Sequence, residues 1–412
     1  MSEIMNVPDG WESGFLTNFI DINPTVKIFK DTVYPFIEMD AVPFDGKKAD
    51  YLTYRFGVEA GMKFKYKDTL LARITPSAEN GKSLYVLDNI DVAIGSTEFI
   101  VFRGKNKKVD SEYVFYLVTS NLVRSKSIAL MEGTSGRQRI PNTIYKDKIK
   151  VIIPTSLQEQ QKIAKILSTL DKTIEATQRL IDKEKNIKKG LMHDLLTNGI
   201  DSNGKIRTPQ THTYKQSELG LIPEEWEGEK IGEICKFKQG IQIPIEEQFF
   251  DYEVDKYRFL RISDYTQQTD DKRYVSKIYK DYLITDKDVV MVRYGETAGF
   301  VGINLSGVLA NNLFRIIPIK KIDNQFLYYY LNSLYNTFKD MREAGAMPAI
   351  SFSSLSRVHF PFFDIEEQKQ IAKILTTQDK KIQTEETNLA KLKELKKGLM
   401  NDLLSGKVRV NF

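Results

Sequence analysis

Residues 159–196 of this chain recur without a gap 208 positions later as residues 367–404, and 21 of the 38 positions are identical. The shared core reads Glu159-Gln160, Ile163-Ala164-Lys165-Ile166-Leu167, Lys188-Lys189-Gly190-Leu191-Met192, Asp194 and Leu195-Leu196 in the first copy. In the second it reads Glu367-Gln368, Ile371 to Leu375, Lys396-Lys397-Gly398-Leu399-Met400, Asp402 and Leu403-Leu404. A fixed long-range period takes precedence over local readings of a fold. The chain is a duplication, and its architecture must give two equivalent places to one element.

The duplication extends beyond these segments with a drifting offset. Pro8-Asp9-Gly10-Trp11-Glu12 matches Pro223-Glu224-Glu225-Trp226-Glu227, and these hold the only two tryptophans. Lys67-Asp68-Thr69-Leu70-Leu71-Ala72-Arg73 matches Lys287-Asp288-Val289-Val290-Met291-Val292-Arg293, and Asp110 to Ser120 resembles Asp323 to Ser333. Each half is a globular part followed by a long helix. Between the anchors the globular parts share little, whereas the helices stay alike. Readers of unlike information on a symmetric frame would have this pattern.

In each long segment the apolar positions keep the alternating four-and-three spacing of an a/d seam. The expected helix-pair core is Ile163, Leu167, Leu170, Ile174, Ile181, Leu191 and Leu195, then Ile371, Leu375, Ile382, Leu389, Leu392, Leu399 and Leu403. Thr177 shares the first seam, and Gln378 and Glu385 interrupt the second. No proline intervenes, so each segment can run as one helix of about 57 Å. Gly190 and Gly398 are expected to mark a kink or a break before a last short helix. A stripe this narrow needs a partner, and the other copy in the chain is the obvious one. Two equivalent helices related by a perpendicular two-fold axis run antiparallel.

Each globular part reads as α+β. A Pro-x-x-Trp-Glu turn opens it, followed by a strand-like stretch such as Ile231 to Lys238. Short apolar runs of strand type follow, then a helix-like aromatic segment (Tyr113 to Val118, Phe326 to Leu331), then a strand ending in proline (Ile149 to Pro154, Val358 to Pro361). The polar run Asn198 to Gln216 links the first helix to the second globular part.

Chemistry is constrained by what is scarce. One cysteine, Cys235, excludes an internal disulfide, and with His193, His212 and His359 it gives no zinc constellation; we read it as a small buried hydrophobe. Gly81-Lys82-Ser83 lacks the first glycine of a P-loop, Asn23-Pro24-Thr25 lacks the second proline and aromatic of an amino-methyltransferase signature, and the acidic run Asp286-Lys287-Asp288 reads as a turn. No metal site is expected. The start carries no signal peptide and no 18-residue apolar run occurs, so we expect a cytoplasmic protein without a membrane partner. The net charge of +5 permits nucleic acid without demanding it.

The loops carry the suggestive chemistry. Gly133-Thr134-Ser135-Gly136-Arg137-Gln138-Arg139 joins flexible backbone to side chains suited to phosphate and to purine edges. The basic loop Arg103, Lys105 and Lys107 suits backbone phosphates. In the second part Arg258, Arg261, Gln267, Gln268, Lys272, Arg273, Arg293 and Tyr294 are comparable candidates. Arg73 and Arg293 recur at equivalent positions, which favours a shared task such as backbone contact or core support over base reading.

Two variable parts, each preceding a helix headed by Pro154 to Ile163 (Pro-x4-Glu-Gln-x2-Ile) or its Pro361 to Ile371 counterpart, the Lys-Asp-x4-Arg strands, and the entry Glu218 to Glu227 together resemble the specificity subunit of type I restriction-modification systems. The resemblance covers essentially the whole chain. It implies a non-catalytic subunit with target-recognition domains at 1–153 and 206–360, the second including the linker, and helical regions at 154–205 and 361–412. Each domain would read one half of a bipartite, non-palindromic sequence in double-stranded DNA, with the helices as spacer. The implied partners are two methyltransferase subunits and, in the restricting assembly, restriction/translocase subunits; S-adenosylmethionine, ATP and Mg would belong to them. One departure is the uncharged Ala344 to Pro348 counterpart of the Gly133 to Arg139 loop. The competing expectation is a coiled-coil adaptor that binds two proteins and no DNA.

Overall fold

Thr69-Leu70-Leu71-Ala72 and Val289-Val290-Met291-Val292 have no polar alternation, the pattern of a strand buried on both faces. In the computed structural model both are strands with every residue buried. The structure describes residues 7–58, 60–87, 90–134, 136–267, 270–342 and 348–410, with only the backbone of Lys107. The chain divides into two units, residues 1–179 with 386–412, and residues 180–385. Each unit therefore holds one globular part, the first half of one long helix and the second half of the other.

In the first unit the buried strand lies in a four-stranded sheet ordered Ile20–Ile22, Phe99–Gly104, Thr69–Ala72, Ser83–Tyr85. A second sheet is ordered Thr53–Phe56, Val33–Ile37, Val92–Gly95, Met62–Lys65, with Val33–Ile37 parallel to Val92–Gly95 and the other pairings antiparallel. The second unit repeats both sheets. The first runs Cys235–Gln239, Leu313–Pro318, Val289–Val292, Val301–Gly302, and the second Arg273–Ser276, Lys256–Leu260, Gly307–Leu309, Leu283–Ile284, again with one parallel pair. The class is α+β, as the sequence suggested. The aromatic segments are helices, Ser111–Thr119 and Asn324–Ser333. Their starts are set by Asp110 and Asp323, whose carboxylates accept from the Tyr113 and Phe326 backbone N–H groups, both at 2.9 Å.

Two local expectations need correcting. Ile231 to Lys238 is not one strand: Ile231–Ile234 is a helical turn and the strand is Cys235–Gln239. The reason is that Ile231 and Ile234, three residues apart, are both fully buried, a spacing that a turn of helix satisfies and a strand does not. Nor do Gly190 and Gly398 break the helices, which run unbroken over Leu157–Thr197 and Ile365–Leu404. Both glycines are exposed, with nothing within 4 Å of where a Cβ would stand.

Within each unit the start of one long helix packs on the end of the other, so the two run antiparallel there. In the first unit Ile163, Ala164 and Leu167 share a core with Leu403 and Leu404; in the second, Ile371, Ala372 and Leu375 share one with Leu195 and Leu196. Ile181, Ile382 and Leu389 are buried as well, and Leu170, Ile174, Leu191, Leu392 and Leu399 are half-buried. The interruption at Gln378 is a polar contact: its amide donates to the Glu184 carbonyl at 3.0 Å and carboxylate at 2.8 Å, and Lys381 adds an ion pair at 2.7 Å. These contacts, Lys381 first and Gln378 next, hold the Glu184 carboxyl below its ordinary range. The positions equivalent to Gln378 and Glu184 in the first unit are Leu170 and Leu392.

Both letters of the Glu-Gln motif have a structural task. The Gln160 amide donates to the Pro154 carbonyl at 2.8 Å and accepts from the Asp110 N–H at 2.8 Å, and Gln368 donates to Phe363 at 2.8 Å and accepts from Asp323 at 3.0 Å. An amide suits this position because it donates and accepts at once. The neighbouring carboxylates are clasped by arginine. Glu367 takes Arg207 at 2.6 and 3.0 Å and the Ile200 N–H at 2.9 Å, and Glu159 takes Arg409 at 2.7 and 2.9 Å and the Trp11 indole N–H at 3.3 Å. Gly199 makes room for this clasp. Its φ is +63°, and a Cβ would fall 2.2 Å from the Glu367 carboxylate and 2.4 Å from Trp226.

Arg207→Leu is expected to lower stability by about 3 kcal/mol, because it leaves the largely shielded Glu367 carboxylate without its cation. Arg409→Leu should cost about as much, since the Glu159 carboxylate it strands is 1% exposed against 13% for Glu367. Gly190→Ala should instead raise stability by about 1 kcal/mol. Urea unfolding followed by circular dichroism measures all three.

Candidate nucleic-acid interface

In each unit the buried central strand ends on an arginine, Arg73 or Arg293, and that arginine's backbone organises the loops around it. Arg73 donates its N–H to the Glu98 carbonyl at 2.9 Å and accepts from Ile140 at 2.8 Å. Arg293 does the same with Asn312 and Ile350, at 2.8 and 3.0 Å. One turn and one loop are thus brought to the same end of the same strand in both units. The Nε of each arginine is buried without a partner among the described residues.

In the first unit this end gathers Arg137, Gln138 and Arg139 beside Arg73. Glu132 and Arg139 exchange backbone bonds at 2.9 and 2.8 Å, and Gly133 and Gly136 are at positive φ. Gln138 is stitched to Thr75 at 3.0 and 3.1 Å. Arg139 lays its fork across Glu98 at 2.8 to 3.1 Å, a contact that raises its pKa. Arg137 is exposed and has no ion pair among the described residues. Ser135 lies outside the described residues.

Arg103 and Lys105 stand elsewhere. Arg103 lies at, and Lys105 just beyond, the end of strand Phe99–Gly104 that is far from Glu98, roughly 17 Å away at about 3.3 Å per residue. Arg103 is committed to Asp68 by two bonds of 2.6 Å, and Asp68 is 1% exposed. The second unit repeats this ion pair as Arg315 and Asp288 at 2.6 Å. Lys105 donates to the Thr17 carbonyl. The Lys107 side chain is outside the described residues.

In the second unit Arg293 donates to the Gln239 side-chain oxygen and lies over the Phe352 ring at 4.3 Å and the Tyr294 ring at 5.0 Å. Gln239 donates to the Asn311 carbonyl at 2.7 Å, and the Asn311 amide donates to Gln242 at 3.2 Å. Arg258 and Arg261 both meet the buried Asp264 carboxylate, at 2.7 and 3.5 Å. Arg261 and Arg273 also share Asp271 at 3.1 and 3.0 Å, and these two contacts hold that carboxyl below its usual range. Arg273 further lies 3.7 Å over the Phe250 ring. Gln267 and Lys272 are exposed, and Gln268 is outside the described residues, as are Ala344 to Met347. The two clusters meet at a recess of about 310 Å³ lined by Gln242, Gln248, Arg261, Ser263, Asn311 and Asn312.

The sequence reading passed over Gln239, Gln242, Asn311, Asn312 and Glu98. Their one signal is positional, since Glu98 and Asn312 each stand immediately before a strand that pairs with the central strand. The chemistry of the two ends differs. The first presents Arg137, Arg139, a glutamine and a glutamate beside Arg73; the second presents carboxamides around the equivalent Arg293. Asparagine and glutamine match the donor–acceptor edge of adenine, arginine that of guanine, and glutamate can accept from cytosine.

Two further grooves lie on the long helices, one in each unit. One, of about 710 Å³, runs beside Lys189, Met192 and His193 toward Tyr330, Ser333 and Leu334. The other, about 590 Å³, runs beside Lys397, Met400 and Asn401 toward Ser120 and Asn121. The helix residues are equivalent under the 208-residue offset. Elsewhere burial pushes the Cys235 thiol up to about 12. Among the described residues no group of His, Cys, Asp and Glu is placed to hold a metal ion, and no helix is long and apolar enough to cross a membrane.

Residues 8–185 and 223–394 each match the family described as type I restriction modification DNA specificity domain. The type I restriction enzyme MjaVIII specificity subunit of Methanocaldococcus jannaschii is 29% identical over 336 residues, covering 76% of this chain and 74% of that protein. Among solved structures, the S subunit of a type I restriction-modification system from M. genitalium aligns over 98% of both chains at 16% identity, with a TM-score of 0.63. A chain from a structure on complex assembly and conformational transition of the type I R-M system aligns over 98% of this chain and 100% of its own, at 19% identity and a TM-score of 0.60.

Arg137→Ala is expected to weaken binding to duplex DNA and to reduce the slope of log K against log salt by about one, with no change in thermal midpoint. Arg103→Ala should do the reverse. It should leave the slope alone and cost about 3–5 kcal/mol of stability by stranding Asp68. Fluorescence anisotropy titrations at several salt concentrations, beside thermal melts, separate the two.

Proposed function

Because this chain belongs to the type I restriction modification DNA specificity family, with two copies of the family's domain in one polypeptide, we propose that it is the sequence-reading subunit of a restriction-modification assembly. The observation that carries the reading is the pair of unlike polar surfaces built at the same end of the same strand in two units of one topology. A shared frame with different side chains reads two different half-sites, so the target is bipartite and non-palindromic. Target recognition is assigned to residues 1–153 and 206–360, and the spacer and docking helices to 154–205 and 361–412. Within the readers, Arg137, Gln138, Arg139, Arg261, Arg293 and Tyr294 are the base- or phosphate-facing residues from the sequence reading, joined by Gln242, Asn311 and Asn312.

The chain supplies recognition and no chemistry. Two methyltransferase subunits dock on it and bind S-adenosylmethionine, and in the restricting assembly translocase subunits use ATP and Mg. The equivalent grooves at Met192 and Met400 support two identical partners, because a repeated surface binds a repeated subunit. The assembly works in the cytoplasm. Its affinity for DNA comes mainly from the assembled partners, consistent with a net charge of only +5 on this chain.

Methylome sequencing of cells expressing the chain with its methyltransferase, compared with the methyltransferase alone, tests this directly. The expected outcome is one bipartite N6-methyladenine motif that appears only with the chain. If an expressed, soluble methyltransferase produces no new motif, the chain acts as a protein adaptor instead. In vitro, tight and strongly salt-dependent binding should appear on adding the methyltransferase; equally tight specific binding by the chain alone would contradict the division of labour.

A further inference from the structure

Outside the reading surfaces, a three-residue contact is built twice. In the first unit the Tyr116 hydroxyl donates to Asp171 at 2.5 Å, and Lys396 pairs with the same carboxylate at 2.6 Å. In the second, the Tyr329 hydroxyl donates to Asp379 at 2.8 Å, and Lys188 pairs with it at 2.5 Å. The tyrosine comes from the aromatic helix of the globular part, the aspartate from the starting half of one long helix, and the lysine from the closing half of the other. Each contact therefore joins three elements at one atom group. Asp171 and Asp379 each stand 14 residues into their helices, after Leu157 and Ile365, which places each contact about 21 Å along the axis at 1.5 Å per residue.

We propose that Tyr116–Asp171 and Tyr329–Asp379 set the tilt of each reader on its helices, and so are positioning residues for the length of the unread spacer. This rests on the reading given under Proposed function. The physical argument is one of leverage. Each globular part joins its helix through a two-residue connection, Thr155-Ser156 or Phe363-Asp364, and leans on it through apolar contacts. Apolar contact is non-directional and tolerates small rotations, whereas a hydroxyl–carboxylate bond is directional. A second fixed point about 21 Å from the joint is what removes the rotation. The scale matters: a domain of this size is about 30 Å across, so a tilt of roughly 7° moves its far face by about 3.4 Å, one base-pair step.

The two ties are not equally redundant. In the first unit Lys47 of the globular part also reaches the site, donating to Tyr116 at 2.6 Å and standing 3.8 Å from Asp171. In the second, among the described residues, the hydrogen bonds from globular part to helix at this point both run through the Tyr329 hydroxyl, to Asp379 and, at 3.3 Å, to Thr376. Tyr329→Phe keeps the ring and the core packing and deletes both.

The test is methylome sequencing with wild-type, Tyr116→Phe and Tyr329→Phe chains, each expressed with the methyltransferase, together with pull-down of that partner and a thermal melt. The expected result for Tyr329→Phe is unchanged half-sites, unchanged assembly, and additional methylated motifs whose spacer is one base pair longer or shorter. Tyr116→Phe should show a smaller relaxation, because Lys47 still reaches Asp171. An assembled Tyr329→Phe complex that keeps a single spacer length overturns the proposal, as does one in which a half-site changes. A wild-type chain that directs no bipartite motif overturns the underlying reading instead, so the two failures are told apart in one experiment.

Discussion

The rest of the structure hangs on a Glu-Gln pair at the head of each long helix, with Glu159, Gln160 and Gln368 buried and Glu367 half-buried. Gln160 and Gln368 bind the end of the preceding strand and the cap of the aromatic helix in one step. Glu159 and Glu367, one residue earlier, bind an arginine from the segment that follows the other long helix. Five pieces of each unit converge there: strand, aromatic helix, two long-helix halves and the tryptophan turn. Desolvating a carboxylate is expensive unless it is paired and hydrogen-bonded. The junction therefore forms complete or at a cost, which links the globular part to the helices more sharply than apolar packing alone.

Both units repeat two sets of buried ions, and a place where they differ, the helix pair, is informative. Asp68 with Arg103 and Asp288 with Arg315 are copies, as are the two arginine clasps. In the helix pair, however, Gln378 and Glu184 of the second unit replace the leucines 170 and 392 of the first. An apolar seam tolerates a slip of one heptad, while a polar layer matched to one partner does not. One polar layer per helix pair is enough to define register, and a second would only add desolvation.

Much of this was legible in the sequence because it depends on local rules. The duplication, the proline-free helices with their apolar seam, and the aromatic helices announced by Asp110 and Asp323 follow from periodicity and capping. Other features depend on what lies opposite. Arg103 looks like a phosphate-binding residue until Asp68, 35 positions earlier, is seen to claim it. Gln242 and Asn311 are 69 positions apart, and they become neighbours only because Ile241 and Ala310 form a bridge between loops. Gly190 looked like a helix break because glycine is costly in a helix, but a 41-residue helix packed along its length absorbs that cost.

The two tryptophans sit in the same turn of each copy yet in different surroundings. The Trp11 indole N–H donates to the Glu159 carboxylate, with the Arg409 guanidinium 5.7 Å from its ring. Trp226 is fully buried, stacked 4.1 Å from Phe363, with its N–H unpartnered among the described residues. Each unit thus carries one indole at the junction of its globular part with the long helices, an intrinsic optical label for that junction that needs no added dye.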